Sequence, residues 1–367
     1  MGIKLDTTQF IIPPGETIKE QLAYLGMSQK ELATRMNYSE KAISKLINGK
    51  VSLTTDTALE LENIFGIPAV FWINLDANYQ LRKKRQEDIT VSKSEIDIAR
   101  RYKCYAEISN RGYVKKTSDW HLRVKELCRF FGVSNLGQIM KLDYGVAFKQ
   151  ASSRSIDSYS VQCLLRIGEL EAQDISVPDF NKEGLKELIP QIRSLITLPI
   201  EEAIQNLRVL LNSVGVRLVL TPSISKTMIN GAVKWSDDRP TIQVTDYKKA
   251  VDIFWFTIFH ELGHVLLHGR GKGKRFVDTY SNLSSKENIE LEANQFAQNT
   301  LIPEDAFNDF IENGSFYEAD IIGFSAVVGI PASIIAGRLA HDKSITQYGY
   351  NFAQKFRTSI DLTEINI

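Results

Sequence analysis

The amino-acid sequence predicts a mainly α protein with one small β-sheet, an α+β fold built from more than one domain. Three observations support this class. Apolar residues recur at helical spacing through most of the chain. Segments that alternate or cluster β-branched residues occur only between residues 215 and 246. The length of 367 residues suggests two or three domains, and 43% hydrophobic residues suffice to build their cores.

Composition and charge narrow the possible environments and partners. The 44 Lys and Arg residues balance 44 Asp and Glu residues, so contact with DNA must depend on a local patch. Cys104, Cys128 and Cys163 lack the spacing of a metal or disulfide motif, as is typical of a reducing cytoplasm. No signal peptide opens the sequence, and its longest weakly polar run, AVVGIPASIIAG, is shorter than a membrane span. We therefore expect a soluble cytoplasmic protein without a membrane partner.

The first ninety residues predict five short helices. Ser28 followed three residues later by Glu31 is a capping-box pattern at the start of SQKELATRMN. Ser39, and then Thr54 or Thr55, can cap the helices that follow. Two short helices joined by a tight turn, with apolar residues facing inward, predict a helix-turn-helix whose second helix enters the major groove of DNA.

The amino-acid sequence of this region resembles that of a known group of proteins. The segment SQKELATRMNYSEKAISKLINGKVSLTTDTALELENIFGIPAVFWINLDANYQ is similar to the Cro/C1-type (XRE) helix-turn-helix of HigA-like antitoxins of toxin–antitoxin systems. The resemblance implies a five-helix, lambda-repressor-like domain over residues 1–80 that binds a double-stranded DNA operator as a homodimer and regulates transcription. Gln29 is expected to anchor a phosphate. The side that faces the groove is expected to include Tyr38, Ser39, Lys41, Ser44 and Lys45.

The charge of this region leaves an alternative open. Residues 1–90 contain 11 Lys and Arg residues against 11 Asp and Glu residues, whereas a strong DNA-binding domain is usually basic. Lys41, Lys45 and Lys50 form a local positive edge, although Glu40 lies among them. DNA binding is the preferred interpretation, and a module that uses the same helices only for protein contact is the alternative.

The motif His260-Glu261-Leu262-Gly263-His264, inside FWFTIFHELGHVLLH, predicts a zinc site on a buried helix. Helix positions four apart lie about one turn (~6 Å) along the same face, so His260 and His264 can bind one zinc ion. Glu261 is turned about 100° from His260, beside the metal, where it can act as a general base. The neighbouring residues are apolar nearly all round, so polar groups there need a reason. The alternative is a pair of core histidines satisfied by hydrogen bonds.

The third ligand is not determined by helical spacing. A hydrolytic zinc site usually keeps three protein ligands and one position for water. In the predicted helix NIELEANQFAQNTLIP, Glu290 and Glu292 flank the apolar face on opposite sides, so periodicity does not choose between them. In a straight helix His268 would lie ~12 Å from His260, too far to be a ligand. A role near the metal or in stabilising the oxyanion remains open for His268, as does a solvated helix end.

A second resemblance covers this region. The segments FTIFHELGHVLLH and ELEANQFAQNTLIP are similar to the ImmA/IrrE family of metallopeptidases, whose second helix carries a Glu-Ala-Asn/Asp-x-Phe-Ala signature. The resemblance implies a zincin-like domain, Zn²⁺ as the cofactor and Glu292, which opens the signature, as the third metal ligand. Tyr280 and His268 are candidates for stabilising the oxyanion, and neither is chosen.

The remaining segments predict how the site is framed. GVRLVLTP, GAVKWSD and PTIQVTD indicate three strands of a small antiparallel sheet, with turns at Asn230-Gly231 and at residues 237–240. GAVKW is the expected edge strand, which could pair with an extended substrate. Residues 81–200 are expected to form a charged linker and helical connector, residues 201–345 the peptidase domain and residues 346–367 a C-terminal tail. Gly329-Ile330-Pro331 should divide the last two helices.

Two functions follow from these motifs. The first is a DNA-binding, antitoxin-like regulator with a zinc-dependent endopeptidase that hydrolyses a peptide bond in a regulatory protein, such as a repressor or a toxin-like partner. The second is a non-enzymatic antitoxin or repressor whose zinc site is structural or sensory, since ligand binding alone can change stability or DNA affinity. A peptidase with a vestigial DNA-binding module is a third possibility.

Overall fold

The computed structural model describes residues 13–87, 91–142, 156–269, 275–279, 287–312, 316–341 and 353–365. The chain divides into two compact units, Met1–Ser92 and Lys93–Ile367. Within the described ranges no single helix is long and apolar enough to cross a membrane; the bent pair Glu318–Val328 and Ala332–His341 meets that criterion only when its two helices are taken together. The boundaries at residues 80, 200 and 345 stay predictions.

The first unit contains the five helices that the sequence predicts. They are α1 (Pro14–Leu25), α2 (Gln29–Arg35), α3 (Glu40–Ile47), α4 (Thr55–Phe65) and α5 (Ala69–Glu87). The predicted caps are present: Ser28 Oγ accepts from the backbone N–H of Glu31, and Ser39 Oγ accepts from that of Ala42. One core, to which Ile43 of α3 belongs, packs the helices together. Its fully buried members include Ile18, Leu32, Ile43, Leu61 and Trp72.

The second unit is mainly helical, which together with its sheet confirms the predicted α+β class. Its helices are α6 (Lys93–Ala99), α7 (Tyr105–Asn110), α8 (Trp120–Phe131), α9 (Ser158–Gln173), α10 (Lys182–Ser194), α11 (Ile200–Ser213), α12 (Val251–Gly263), α13 (Glu287–Leu301), α14 (Glu304–Glu312), α15 (Glu318–Val328) and α16 (Ala332–His341). The break between α15 and α16 lies at the predicted place, where Gly329 ends α15 with a φ of 66°. Glycine adopts this left-handed conformation without steric cost.

The sheet differs from the prediction in three ways. Its strands are β1 (Arg217–Leu220), β2 (Ile229–Ser236), β3 (Arg239–Val244) and β4 (Arg275–Thr279), in the order β1-β3-β2-β4. The sheet is mixed, because β1 runs parallel to β3 while β2 is antiparallel to both β3 and β4. A strand follows α12, and the segment GAVKW lies in β2, inside the sheet. The predicted antiparallel sheet with GAVKW at its edge is therefore wrong.

Turn chemistry explains part of the difference. Asp237 and Asp238 join β2 to β3 with φ values of 51° and 60°, as a two-residue hairpin turn of type I′ requires. Asn230-Gly231, the other predicted turn, lies within β2, where Gly231 is the register partner of Val244. Strand β3 therefore lies between the other two: β2 pairs with it in antiparallel orientation on one side, and β1 pairs with it in parallel on the other.

Helix α12 packs against one face of this sheet and forms the centre of the second unit. Its large apolar residues, among them Trp255, Ile258, Phe259 and Leu262, are buried with Val233 and Trp235 of β2. The C-terminal segment belongs to the same core, because Ser359 forms a β-bridge with Ala250 and Leu362 is buried. The site-bearing helix is thus enclosed by the sheet, by α13 and by the end of the described chain.

Candidate metal centre and DNA-contact surface

Helix α12 and the turn that follows it direct two imidazoles at each other in the buried interior. The Nε2 atoms of His260 and His264 lie 3.0 Å apart, and their side chains are 2% and 1% exposed. The four-residue spacing therefore does what helical geometry predicts, since both rings leave the same face of the helix one turn apart.

A carboxylate from α13 completes a group of three ligand atoms. Glu290 Oε2 lies 3.3 Å from His260 Nε2 and 3.4 Å from His264 Nε2. Four ligand atoms at tetrahedral positions about 2.05 Å from a zinc ion would be separated by about 3.3 Å. The spacings of the three atoms match that edge length, and two imidazoles with one carboxylate are a donor set that zinc uses. These residues fit a zinc ion.

The electrostatics favour the protonation states that a metal binds. Burial alone would raise the pKa of Glu290, but hydrogen bonds with His260 and His264 lower it to about 2. Burial is the largest influence on His264 and lowers the pKa of its imidazole. An ionised carboxylate and a neutral imidazole are the forms in which these side chains coordinate metals.

The structure does not bring Glu292, the predicted third ligand, to the two imidazoles. Its side chain is 58% exposed, and its Oε2 lies 3.5 Å from His268 Nδ1. The reason is the face on which α13 meets α12: Ala293 and Ala297 are fully buried there, and Glu290 precedes them by three and seven residues. Glu292 is turned about 200° from Glu290 around the helix. Only the packing of α13 resolves the ambiguity that the periodicity left.

Asn294 orients the first histidine and was missed by sequence reasoning. Its Oδ1 lies 2.9 Å from His260 Nδ1. The hydrogen bond to Glu290 uses a proton on Nε2, whereas metal binding requires the other tautomer, in which Nδ1–H donates to Asn294 and Nε2 offers its lone pair to an ion. The spacing of Glu290 and Asn294, four residues apart on one helix face, is the signal that could have identified both residues together.

Strand β2 encloses the predicted general base, Glu261. The side chain of Glu261 is fully buried. A Cβ atom built on Gly231 would lie 2.4 Å from Glu261 Oε1 and 2.6 Å from Thr257 Cγ2. Any larger residue at position 231 would therefore collide with α12. Because glycine has no side chain, β2 can pack directly against the Glu261 carboxylate.

His268 lies at the end of an irregular turn beside the three candidate ligands. Residues His264–His268 form a π-helical turn after α12, so the straight-helix assumption was wrong. The ring centroids of His264 and His268 are 5.3 Å apart, and His268 pairs with Glu292 beside the three-residue centre. Tyr280, the other candidate for the oxyanion, lies outside the described residues.

The predicted DNA contacts separate into two groups in the structure. Gln29, Lys41, Ser44 and Lys45 are exposed, and the last three lie on α3, where Ser44 also accepts a hydrogen bond from Asn48. Lys41 and Lys45 are one helical turn apart. Their contacts with DNA stay predictions.

Tyr38 and Ser39 have roles within the domain. The phenol oxygen of Tyr38 lies 3.1 Å from Thr57 Oγ1, and its half-buried ring packs against the core. Ser39 caps α3 through its hydroxyl. Both residues lie next to the exposed face of α3, and their predicted contacts with DNA are also untested.

Comparisons with known proteins match both units. A family described as the IrrE N-terminal-like domain, peptidase family M78, matches residues 212–340, and a helix-turn-helix family matches residues 18–72. Virulence-associated protein I of Dichelobacter nodosus is 32% identical over 82 residues, which are 22% of this chain and 76% of that protein. An uncharacterized HTH-type transcriptional regulator, YddM of Escherichia coli (strain K12), is 34% identical over 68 residues, 18% of this chain and 72% of that protein. The structure of an addiction module antidote protein of the HigA family from Coxiella burnetii shares 34% identity, covers 22% of this chain and 97% of its own, and has a TM-score of 0.19.

Proposed function

Because this chain belongs to the helix-turn-helix regulators and carries an IrrE N-terminal-like domain of peptidase family M78, we propose that its second unit is a zinc-dependent endopeptidase. The observation that supports the proposal best is the triad of His260, His264 and Glu290, whose ligand atoms lie 3.0 to 3.4 Å apart beside the buried Glu261.

Each residue has a role in amide hydrolysis. When bound, zinc would supply Lewis-acid polarisation of the scissile carbonyl and lower the pKa of water. His260, His264 and Glu290 would hold the ion, and Asn294 keeps the ring of His260 in the tautomer that exposes Nε2. Glu261 accepts a proton as the water oxygen bonds to the carbonyl carbon. It then passes that proton to the amine nitrogen as the C–N bond breaks.

The sheet suggests how a substrate would be presented. Strand β4 pairs with β2 and ends the sheet on that side within the described residues. An extended polypeptide could add to its outer edge through main-chain hydrogen bonds. This edge takes the place that GAVKW had in the sequence-based prediction. We infer that the substrate is a regulatory protein, such as a repressor or a toxin-like partner.

The first unit would bring this activity to an operator. Lys41, Ser44 and Lys45 on the exposed face of α3 would enter the major groove. We also propose that this unit binds two half-sites as a homodimer, with the exposed apolar residues Leu59, Val70 and Phe71 as candidates for the contact.

The substitution Glu261→Gln tests the peptidase. It keeps the size of the side chain and leaves the three proposed ligands intact, so zinc content should stay near one ion per chain. Loss of a general base typically lowers a rate by about 10²- to 10⁴-fold. Comparing the cellular proteomes of the wild type and the variant should show a partner protein that accumulates intact in the variant.

Unchanged levels of every partner protein, with zinc retained, would contradict the proposal. The non-enzymatic antitoxin or repressor would then be the better description. Loss of zinc in Glu261→Gln would instead mean that this residue is a ligand, contrary to the geometry described above.

A further inference from the structure

A polar cavity of about 350 Å³ lies between α9 and the sheet, on the face opposite α12. Side chains alternate between the two faces of a strand. On β2, Ala232 and Lys234 line the cavity, whereas Gly231 and Val233 face α12. A volume of this size is at the lower end of the range for small-molecule sites. The cavity is therefore separate from the metal centre, although the two share a strand.

The cavity has more positive than negative side chains. Arg166, Arg217 and Lys234 line it together with two acidic residues, Glu169 and Asp237. Glu169 bonds both Arg166, at 3.0 Å, and Lys234, at 2.5 Å, while Asp237 is exposed. The remaining cation is Arg217.

Arg217 is partly buried, and the exposed Asp237 is the acidic side chain that acts on it, raising its pKa less than burial lowers it. Its Nε donates to the carbonyl oxygen of Ile175 at 3.0 Å, and no acidic side chain among the described residues lies within 4.0 Å of its guanidinium. Burial is the main influence on its pKa, which it lowers, so the charge has lost part of its hydration. A partly desolvated guanidinium with free donors is a strong site for a carboxylate or a phosphate.

The strand register places further donors beside it. Thr241 of β3 is the register partner of Arg217 on one side and of Lys234 on the other. The guanidinium, the hydroxyl and the ammonium groups therefore form a row across three strands on the face that lines the cavity. Ala172 of α9 contributes little volume to the cavity wall, whereas the side chain of Gln243 fills the space next to Gly168.

We propose that this cavity binds a small anionic metabolite that carries a carboxylate or a phosphate group, with Arg217 as its principal contact. Binding could also regulate the metal centre. Ala232 lines the cavity, and its neighbour Gly231 touches Glu261, so a ligand that displaces β2 would move the general base. This regulatory role rests on the proposed peptidase function, whereas the binding site does not.

Calorimetric titration of the full chain with inorganic phosphate and with succinate tests the site and distinguishes the two chemistries. The titrations use the Glu261→Gln background, so a failure of the peptidase proposal cannot affect them. We expect saturable binding of at least one anion at millimolar concentration. Arg217→Gln keeps a donor for the Ile175 carbonyl and should weaken that binding about tenfold or more, because a hydrogen bond to a charged group is lost.

Two further variants keep the outcome decisive. Arg129→Gln removes a cation that is 72% exposed on α8, and it should leave the affinity unchanged. Ala172→Leu fills the cavity without changing its charge and should abolish binding even if Arg217→Gln folds poorly. Absence of saturable binding by both anions, or equal affinity in the Glu261→Gln parent and in its Arg217→Gln and Ala172→Leu variants, would overturn the proposal.

Discussion

Helices α3 and α12 both present polar side chains to a proposed partner, but they do so in opposite environments. On α3, Lys41, Ser44 and Lys45 are exposed while Ile43 and Leu46 are buried in the core. On α12 the polar residues are buried together with the apolar ones. A polar group in water needs no partner in the protein, whereas a buried one requires compensating hydrogen bonds or charges.

The compensation on α12 comes from two other elements. Helix α13 supplies Asn294 and Glu290 to the histidines, and strand β2 supplies the space above Glu261 through Gly231. We therefore expect substitutions around α12 to act through neighbouring elements. Substitutions on the outer face of α3 should change only the contact with DNA.

The largest expected effect is a loss of zinc affinity when Glu290 of α13 is replaced, but not when Glu292 is replaced. Glu290→Gln removes the charge that lies 3.3 and 3.4 Å from the imidazoles, and zinc affinity should fall on the order of a hundredfold or more, since even residues that only orient a ligand contribute 10- to 100-fold. The matched variant Glu292→Gln should keep its zinc. Competition with a chromophoric chelator measures both affinities. The reverse result would restore Glu292 as the ligand.

A smaller effect is expected from the contact between β2 and α12. Gly231→Ala introduces a Cβ where Glu261 Oε1 lies 2.4 Å away, so the carboxylate must move. Displacing a catalytic group by about 1 Å can cost on the order of a hundredfold in rate. Zinc content should remain near one ion per chain, because the three ligands are untouched.

Gly323→Ala is the control for this substitution. Nothing lies within 4 Å of a Cβ atom at position 323, inside α15, so activity should not change. The unfolding free energy should rise by up to about 1 kcal/mol, because alanine favours a helix more than glycine does. Full activity of Gly231→Ala against the same substrate would show that β2 does not hold Glu261 in place.

Substitutions on the exposed face of α3 should have the smallest effect on the stability of the protein. Replacing Lys41 and Lys45 together by alanine should leave thermal stability unchanged, since both side chains are exposed. Operator affinity should fall. A plot of its logarithm against the logarithm of salt concentration should become less steep by about 2 units if both lysines neutralise phosphates, since each lost phosphate contact lowers the slope by about 1. Fluorescence anisotropy at several salt concentrations measures this slope. Lys19→Ala on α1 serves as the control, and an identical slope in all three proteins would argue for protein contact instead of DNA contact.

Local patterns in the sequence were sufficient to predict several features of the molecule. The caps at Ser28 and Ser39 determine where α2 and α3 begin, and the four-residue spacing of His260 and His264 brings their rings together. Each of these features depends on residues within one or two helical turns. Backbone hydrogen bonds and helical geometry act over that distance whatever surrounds them.

Tertiary structure decided the features that depend on how one element meets another. Glu290 and Glu292 are equivalent by periodicity, and only the buried contact of Ala293 and Ala297 with α12 turns Glu290 toward the imidazoles. The addition of β4 beside β2 likewise depends on hydrogen bonds between strands far apart in the chain. Such pairings are selected by the packing free energy of the whole unit, and a pattern confined to one segment does not contain that information.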